Sequence, residues 1–381
     1  MQRTPLLLAA TLVLAGCDLT GPKDEPLVFQ KLSVGYQWAC GLTTEGEAYC
    51  WGQNFIGGRW AYDRPHRVPT DQRFFEISSG AWYTCGLAVV DSTTYCWGQN
   101  YDAGLGSPPI QRSSLKLKSL HVGDEATMIC GVTTANVAYC MGRNDRGQAG
   151  VGHGSPVTSM TQVQTGASVS QLQSADHACL VTTAGGLQCW GNNWSGAVGI
   201  ADTAMVCDPV PSCYVYLPTT VPTPGVTFAS VSVGGSTSCA LTATGVAWCW
   251  GANGSGTVGA PPSITCPGCN PRPTPVSGGL QFRSLRTDWG TSCGVTMDGD
   301  GYCWGSNEVG QLGVGDTLPR RSPTAVRGDL KFQEIVPGSR HSCGLTTAGS
   351  AYCWGHNSQG ALGTGSFEHR AWTRPQRVLG P

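Results

Sequence analysis

Seven cysteine pairs at one short spacing constrain this chain more than any other feature. They are Cys40 with Cys50, Cys85 with Cys96, Cys130 with Cys140, Cys179 with Cys189, Cys239 with Cys249, Cys293 with Cys303 and Cys343 with Cys353, ten residues apart in six pairs and eleven in the second. After each pair the chain reads Trp-Gly-x-Asn, ending at Asn54, Asn100, Asn144, Asn193, Asn253, Asn307 and Asn357, with Met141 replacing Trp in the third copy. Copies three to seven continue x-x-Gly-x-x-Gly, as at Gly310 and Gly313. A chain of 381 residues would ordinarily suggest two or three domains. Self-similarity at roughly 45 to 60 residues points instead to one closed repeat array, from Leu27 to Pro381.

Each repeat reads as four short strands. An apolar segment such as Phe29–Leu32 or Phe332–Ile335 precedes a glycine and gives the first strand and its turn. The two cysteine segments then form a hairpin around a glycine-containing loop. A Pro-x-x-Val segment recurs at Pro65/Val68, Pro218/Val221, Pro273/Val276, Pro323/Val326 and Pro375/Val378, where proline suits an edge strand. The second repeat lacks a clear copy. Four strands in each of seven repeats specify an all-β, seven-bladed β-propeller. Strand alternation places Cys343 with Leu345 and Cys353 with Ala351, leaving Tyr352 and Trp354 on the opposite face, so each blade shows an apolar surface to both neighbours. The recurring Asn is read as a turn former. His177 and His341 are read as occupants of a repeat slot that elsewhere holds Trp38, Tyr83, Met128, Thr237 or Thr291.

The pattern Gly-x-x-His-Ser-Cys-Gly-Leu-Thr followed by Tyr-Cys-Trp-Gly-x-Asn-x-x-Gly-x-Leu-Gly resembles the regulator of chromosome condensation repeat, whose family fold is a seven-bladed β-propeller. The resemblance runs from about Val28 to Val378. Eukaryotic members include a guanine-nucleotide exchange factor for the Ran GTPase, and a bacterial relative of the fold inhibits β-lactamases from outside the cell.

The first residues make a separate statement. Met1–Gly16 carries Arg3, an apolar run from Leu6 to Leu14, and then Leu14-Ala15-Gly16-Cys17, which resembles a secretory signal ending in a bacterial lipobox. By that resemblance Cys17 is acylated and anchors the chain outside the cytoplasm, in the periplasm or on the cell surface, and residues 17–26 form a tether reaching about 30 Å. In such a compartment cysteines are read first as disulfides. Cysteines directly opposite each other across a hairpin meet the distance requirement. The alternative is that they are free and buried as small apolar side chains. Four further cysteines, Cys207 and Cys213 in CDPVPSC and Cys266 and Cys269 in CPGC, lie in the two longest insertions. Two disulfides of open connectivity are expected there. A four-cysteine zinc site is the competing reading, and a redox-active C-x-x-C is disfavoured because no βαβ pattern surrounds it.

With 23 basic and 24 acidic residues, the chain has no electrostatic footprint for nucleic acid. No nucleophile elbow, Walker loop, His-Glu-x-x-His pair or dinucleotide fingerprint occurs. Asp102, Asp145, Asp202 and Asp316 fall in connections without an evident partner for acid–base work. No catalytic residue, metal or cofactor is nominated. The expected function is a non-catalytic, monomeric, lipid-anchored module that binds a protein partner through one rim, with Trp194, Tyr214 and Tyr216 as contact residues. Inhibition of an envelope or secreted enzyme, nucleotide exchange by family resemblance, and glycan binding are the alternatives.

Overall fold

The computed structural model describes residues 26–53, 61–98, 108–123, 128–200 and 213–381. Cys17, the signal segment, Cys207, Asp102 and Asp202 lie outside them. In the first blade β1 (Phe29–Val34), β2 (Trp38–Thr43), β3 (Ala48–Gly52) and β4 (Tyr62–Arg67) pair antiparallel in chain order. Six more sheets of four consecutive strands repeat this arrangement, which makes seven blades. The ring closes by whole repeats, since the first and last sheets each take all four strands from one repeat. At the seam Phe29 N–H donates to Gly349 O at 2.8 Å.

The cysteines of every hairpin stand directly opposite in the register. All seven expected pairs are bonded: Cys40 to Cys50, Cys85 to Cys96, Cys130 to Cys140, Cys179 to Cys189, Cys239 to Cys249, Cys293 to Cys303 and Cys343 to Cys353, with Cα atoms 4.0–4.1 Å apart. These fourteen residues are therefore not the free thiols of the alternative reading. They are nevertheless buried, Cys96 at 3% exposure and Cys140, Cys189, Cys249 and Cys303 at 0%, so each disulfide also acts as apolar filling between blades.

Alternation puts the sulfurs on one face and the indole on the other. Consequently each apolar cluster is shared between neighbours: Cys40, Leu42 and Cys50 of blade one meet Phe74, Ile77 and Trp97 of blade two. The same layer recurs at the seam, where Cys343, Leu345 and Cys353 pack on Phe29, Leu32 and Trp51. The core is therefore seven interfaces rather than one centre, and no blade is complete without the next.

The long connection after the third strand locks onto the following blade. In blades four to seven the buried Trp donates Nε1–H to a carbonyl of the preceding blade's connection: Trp190 to Gln148 O at 2.9 Å, Trp250 to Ala197 O at 2.8 Å, Trp304 to Thr257 O at 2.8 Å and Trp354 to Gln311 O at 2.9 Å. Those acceptors all lie four residues after the repeat Asn. The Asn itself is more than a turn former that bonds its near neighbours. Its Oδ1 accepts from the N–H five residues ahead, as at Ala149, Val198, Val258, Leu312 and Leu362. Asn307 Nδ2 also reaches Asp316 O and Leu318 O at 2.9 and 3.0 Å. The amide thus clips both ends of the connection, which is why it is buried. Gly313 shows why the last glycine recurs: at φ 70° with Trp354 Nε1 2.7 Å from where a Cβ would lie, no side chain fits.

Outer strands carry the recurrent prolines, as β4 carries Pro65. The valine one residue beyond the strand is buried at Val68, Val221, Val326 and Val378 and half-buried at Val276. The second blade ends in a shorter strand, Ile110–Ser113, without that motif. Met141 fills the indole position of blade three and is buried against blade two. Replacing Asn307 by Ala leaves the buried Leu312 N–H without its acceptor, and we expect a loss of about 2 to 3 kcal/mol. Urea unfolding with disulfides intact measures it, and a change below about 0.5 kcal/mol would contradict the clip.

Candidate interaction surface

Antiparallel order brings the turn between the first and second strands and the start of the long connection to the same end of each blade. Backbone bonds tie the two together: Gln53 N to Gln37 O at 2.9 Å, Asn192 N to Asp176 O at 3.1 Å, Ser306 N to Gly290 O at 2.8 Å and His356 N to Arg340 O at 2.9 Å. One rim is thus built from the least repetitive segments. The turns on it carry aromatic residues that the repeat does not need. Trp82 is 42% exposed and Trp289 39% exposed. Tyr36 and Trp82 lie with ring centroids 6.2 Å apart and, with Gln37, Trp38, Gln53 and Ala81, line a cleft between blades one and two. Arg146 of the blade-three connection pairs with Asp176 of the blade-four turn, and Arg340 is exposed on the turn of blade seven.

Of the residues nominated from sequence, Trp194 stands on this rim, 59% exposed, in the short 3-10 turn Trp194–Gly196. That turn rests on the outer strand of blade five, where Gly196 approaches Pro271. The start of the blade-four connection and the outer strand of blade five are therefore neighbours in space. Tyr214 and Tyr216 open the outer strand of blade four and are half-buried. Tyr216 lies under Gly147 and Gly154 of blade three, so part of its ring is occupied by packing. Residues 201–212 between them lie outside the described residues. Tyr36, Trp82 and Trp289 are not among the residues that the sequence pattern nominates. Their signal was position: each falls between a blade's first strand and its cysteine strand, where a repeat-only chain needs just a turn.

In blade five Cys266 is bonded to Cys269, three residues away, so these two sulfurs do not join a four-thiolate zinc set. Cys213 is also disulfide-bonded, while Cys207 lies outside the described residues. The acidic connection residues do have partners: Asp145 accepts from Arg143 at 2.7 Å and Asp316 from Arg320 at 2.5 Å. Guanidinium and backbone hydrogen bonds account for them, and the Leu318 N–H and Arg320 hold the Asp316 carboxyl below its ordinary range.

The inner strands ring a narrow polar channel lined by Lys31, Glu76, His121, Gln173, Arg286 and Thr287, among others. An inner strand is an edge, and its free N–H groups need acceptors. A side chain from the preceding blade supplies them: Ser33 Oγ to Ser79 N at 2.7 Å, Ser78 Oγ to Val122 N at 2.9 Å, His121 Nδ1 to Ser174 N at 3.1 Å, Gln171 Oε1 to Val231 N at 2.8 Å and Ser232 Oγ to Thr287 N at 3.1 Å. Lys31–Glu76 and Arg286–Glu334 ion pairs complete the lining. Because His121 Nδ1 accepts, its ring must be neutral there. Enclosure in the channel first, then the Arg286 and Lys31 charges, push its pKa down to about 3.

One buried pair has the form of a catalytic dyad. His177 Nε2 is 2.6 Å from Ser238 Oγ, but Ser238 donates to Ala197 O at 2.9 Å, so the imidazole is the donor and not the base. Both residues are fully buried, and the pair serves to join blades four and five. Burial pushes His177 and His341 down to about 4.

Fold and rim define a seven-bladed propeller compatible with a protein-interaction module. Models of the regulator of chromosome condensation (RCC1) repeat match parts of it, one over residues 298–345 and a second over 29–55, 228–257 and 334–361. No curated protein matches the chain by sequence. Among solved structures it is similar to human WBSCR16, with TM-score 0.71, 19% identity and 84% of this chain and 88% of that chain covered. It is likewise similar to Prp20p from Saccharomyces cerevisiae, a protein described by its binding to Gsp1p and histones, with TM-score 0.72, 20% identity and 88% and 87% covered. The CRINKLY ectodomain of the Arabidopsis thaliana receptor kinase ACR4 is similar at TM-score 0.55 and 17% identity, with 86% and 96% covered. At these identities the likeness is one of fold. The many disulfides favour an extracytoplasmic setting, and among the described residues no helix is long and apolar enough to cross a membrane.

Three histidines enclosed by the fold set an acid limit. Each has a folded pKa below its unfolded value of about 6.5, so the stability it contributes is full above that pH and falls as the pH drops toward 4. The expected slope is at most about 1.4 kcal/mol per pH unit for each histidine. Denaturant midpoints at pH 7, 6, 5 and 4 should fall progressively below pH 6, and His177→Gln should make the fall shallower. An unchanged midpoint from pH 7 to pH 4.5 would refute it.

Proposed function

We propose that this chain is a lipid-anchored, extracytoplasmic propeller that binds a protein partner on the rim carrying Tyr36, Trp82, Trp194 and Trp289. The observation that carries the reading is the presence of large aromatic side chains, exposed, on turns of a scaffold locked by disulfides on every blade. Aromatic residues on a rigid frame lose little conformational freedom on binding and commonly dominate interface energy. Prp20p and ACR4 support the reading by analogy of fold, the first through its binding to Gsp1p and histones and the second as an ectodomain. The lipobox-like segment ending at Cys17 supports anchorage. Binding needs no catalytic group, and the rim residues fit that role as hydrogen-bonding and stacking surface.

Both ends of the molecule have distinct tasks under this reading. The tether joins at Pro26, on the end opposite the aromatic rim, because β1 begins there and runs toward the rim. Partner binding therefore faces away from the lipid. A crosslinked pull-down of the full-length protein from its own envelope is the test. The intact chain should recover one protein stoichiometrically, and the Trp82→Ala, Trp194→Ala, Trp289→Ala triple variant should weaken it by about thirtyfold or more at unchanged thermal stability. Undiminished recovery by the variant would sink the proposal.

A further inference from the structure

The CPGC stretch of blade five has no task in partner binding by the aromatic turns. We infer that Cys266–Cys269 is an exchangeable disulfide, a site at which a protein dithiol is oxidised by thiol–disulfide exchange, although the loop lacks the βαβ surroundings of a thioredoxin-like C-x-x-C. Three observations separate it from the hairpin disulfides. The hairpin sulfurs belong to buried residues between blades. Cys266, by contrast, is partly exposed beside exposed Pro267 and Gly268, while Cys269 is 2% exposed. Cys266 is therefore the more accessible half of the pair and Cys269 the shielded one.

Second, the loop keeps its shape without the bond. Cys266 N donates to Ser263 O at 3.1 Å, Cys269 N to Cys266 O at 3.0 Å, and Ser263 N to Cys269 O at 3.2 Å. From the side, Asn253 N holds Gly268 O at 2.8 Å and Asn270 Nδ2 holds Pro261 O at 3.0 Å. A covalent ring spanning three residues also removes less chain entropy than the ten-residue hairpin rings. Opening it leaves the blade standing. Third, Ile264 is 99% exposed two residues before Cys266, and Pro261 and Pro262 precede it. That makes an apolar shoulder for an approaching protein next to the accessible sulfur.

The chemistry balances without an added oxidant. A partner thiolate attacks Cys266 Sγ, a new S–S bond forms, the Cys266–Cys269 bond breaks, and Cys269 leaves as a thiolate that takes a proton from solvent. The partner's second thiolate then attacks the partner sulfur of the mixed disulfide and releases Cys266. The partner dithiol loses two electrons, the loop disulfide gains them, and the loop is consumed stoichiometrically.

The test uses the native full chain, dithiothreitol as the dithiol probe, timed quenching with iodoacetamide and peptide mapping. Cys266 and Cys269 should be labelled on the order of a hundredfold faster than the hairpin cysteines, which must await local opening. Cys269→Ser should form a mixed disulfide through Cys266 with oxidised glutathione, and Cys266→Ser should leave Cys269 unmodified. The double variant Cys266→Ser, Cys269→Ser should melt within a few degrees of the parent. Equal labelling rates, faster modification at Cys269, or unfolding of the double variant would each overturn the inference.

Discussion

The structure depends on two cysteines facing each other across a hairpin. Directly opposed positions in an antiparallel pair bring Cα atoms to 4.0–4.1 Å, and the pleat then sends both sulfurs to the same face. Once that face is fixed, everything else about the blade follows. The leucine two residues from the first cysteine joins the sulfurs, and the indole next to the second cysteine must point to the other side. A one-residue slip would exchange the two faces and separate the sulfurs. The disulfide therefore sets register as well as constraining the unfolded chain.

Ring formation is a consequence of those two unlike faces. A face of sulfur and aliphatic side chains is completed by the apolar face of the next repeat, which carries phenylalanine and tryptophan in most blades and Leu117 with Met141 in the third, and the seam between blades seven and one obeys the same rule. Polar groups follow the same directional logic: indole N–H to the preceding blade's connection, and channel side chains to the next blade's inner edge. Every interface thus buries apolar area and satisfies backbone groups that an isolated blade would expose. In blades three to seven the long connections are held by a buried Asn, so even the variable rim stands on a fixed base.

Much of this was legible in the sequence because repetition turns a pattern into a measurement. The blade number, the four-strand order, the cysteine hairpins and the edge position of the prolines all followed from spacing and alternation. Other features were not legible, for physical reasons. Ser33, Ser78 and His121 look like ordinary strand residues, since their acceptor role exists only across a blade boundary. The target of the Trp indole lies more than forty residues earlier in the chain. Asn was legible as a recurring polar signal but not as a clip, because its partner sits beyond the turn it was expected to start. The partial covering of Tyr216 by blade three depends on how neighbouring blades approach, which sequence order alone does not fix. Trp82 and Trp289 break the repeat rather than follow it, so periodicity carries no signal for them.

A disulfide map of the protein purified from its native compartment, by peptide mass spectrometry under non-reducing conditions, tests the central claim most directly. The account predicts seven hairpin linkages, each joining cysteines ten or eleven residues apart within one repeat, with no free thiol among those fourteen positions. Free thiols at the hairpin positions, or linkages between different repeats, would contradict both the register that builds the blades and the oxidising setting in which they are placed.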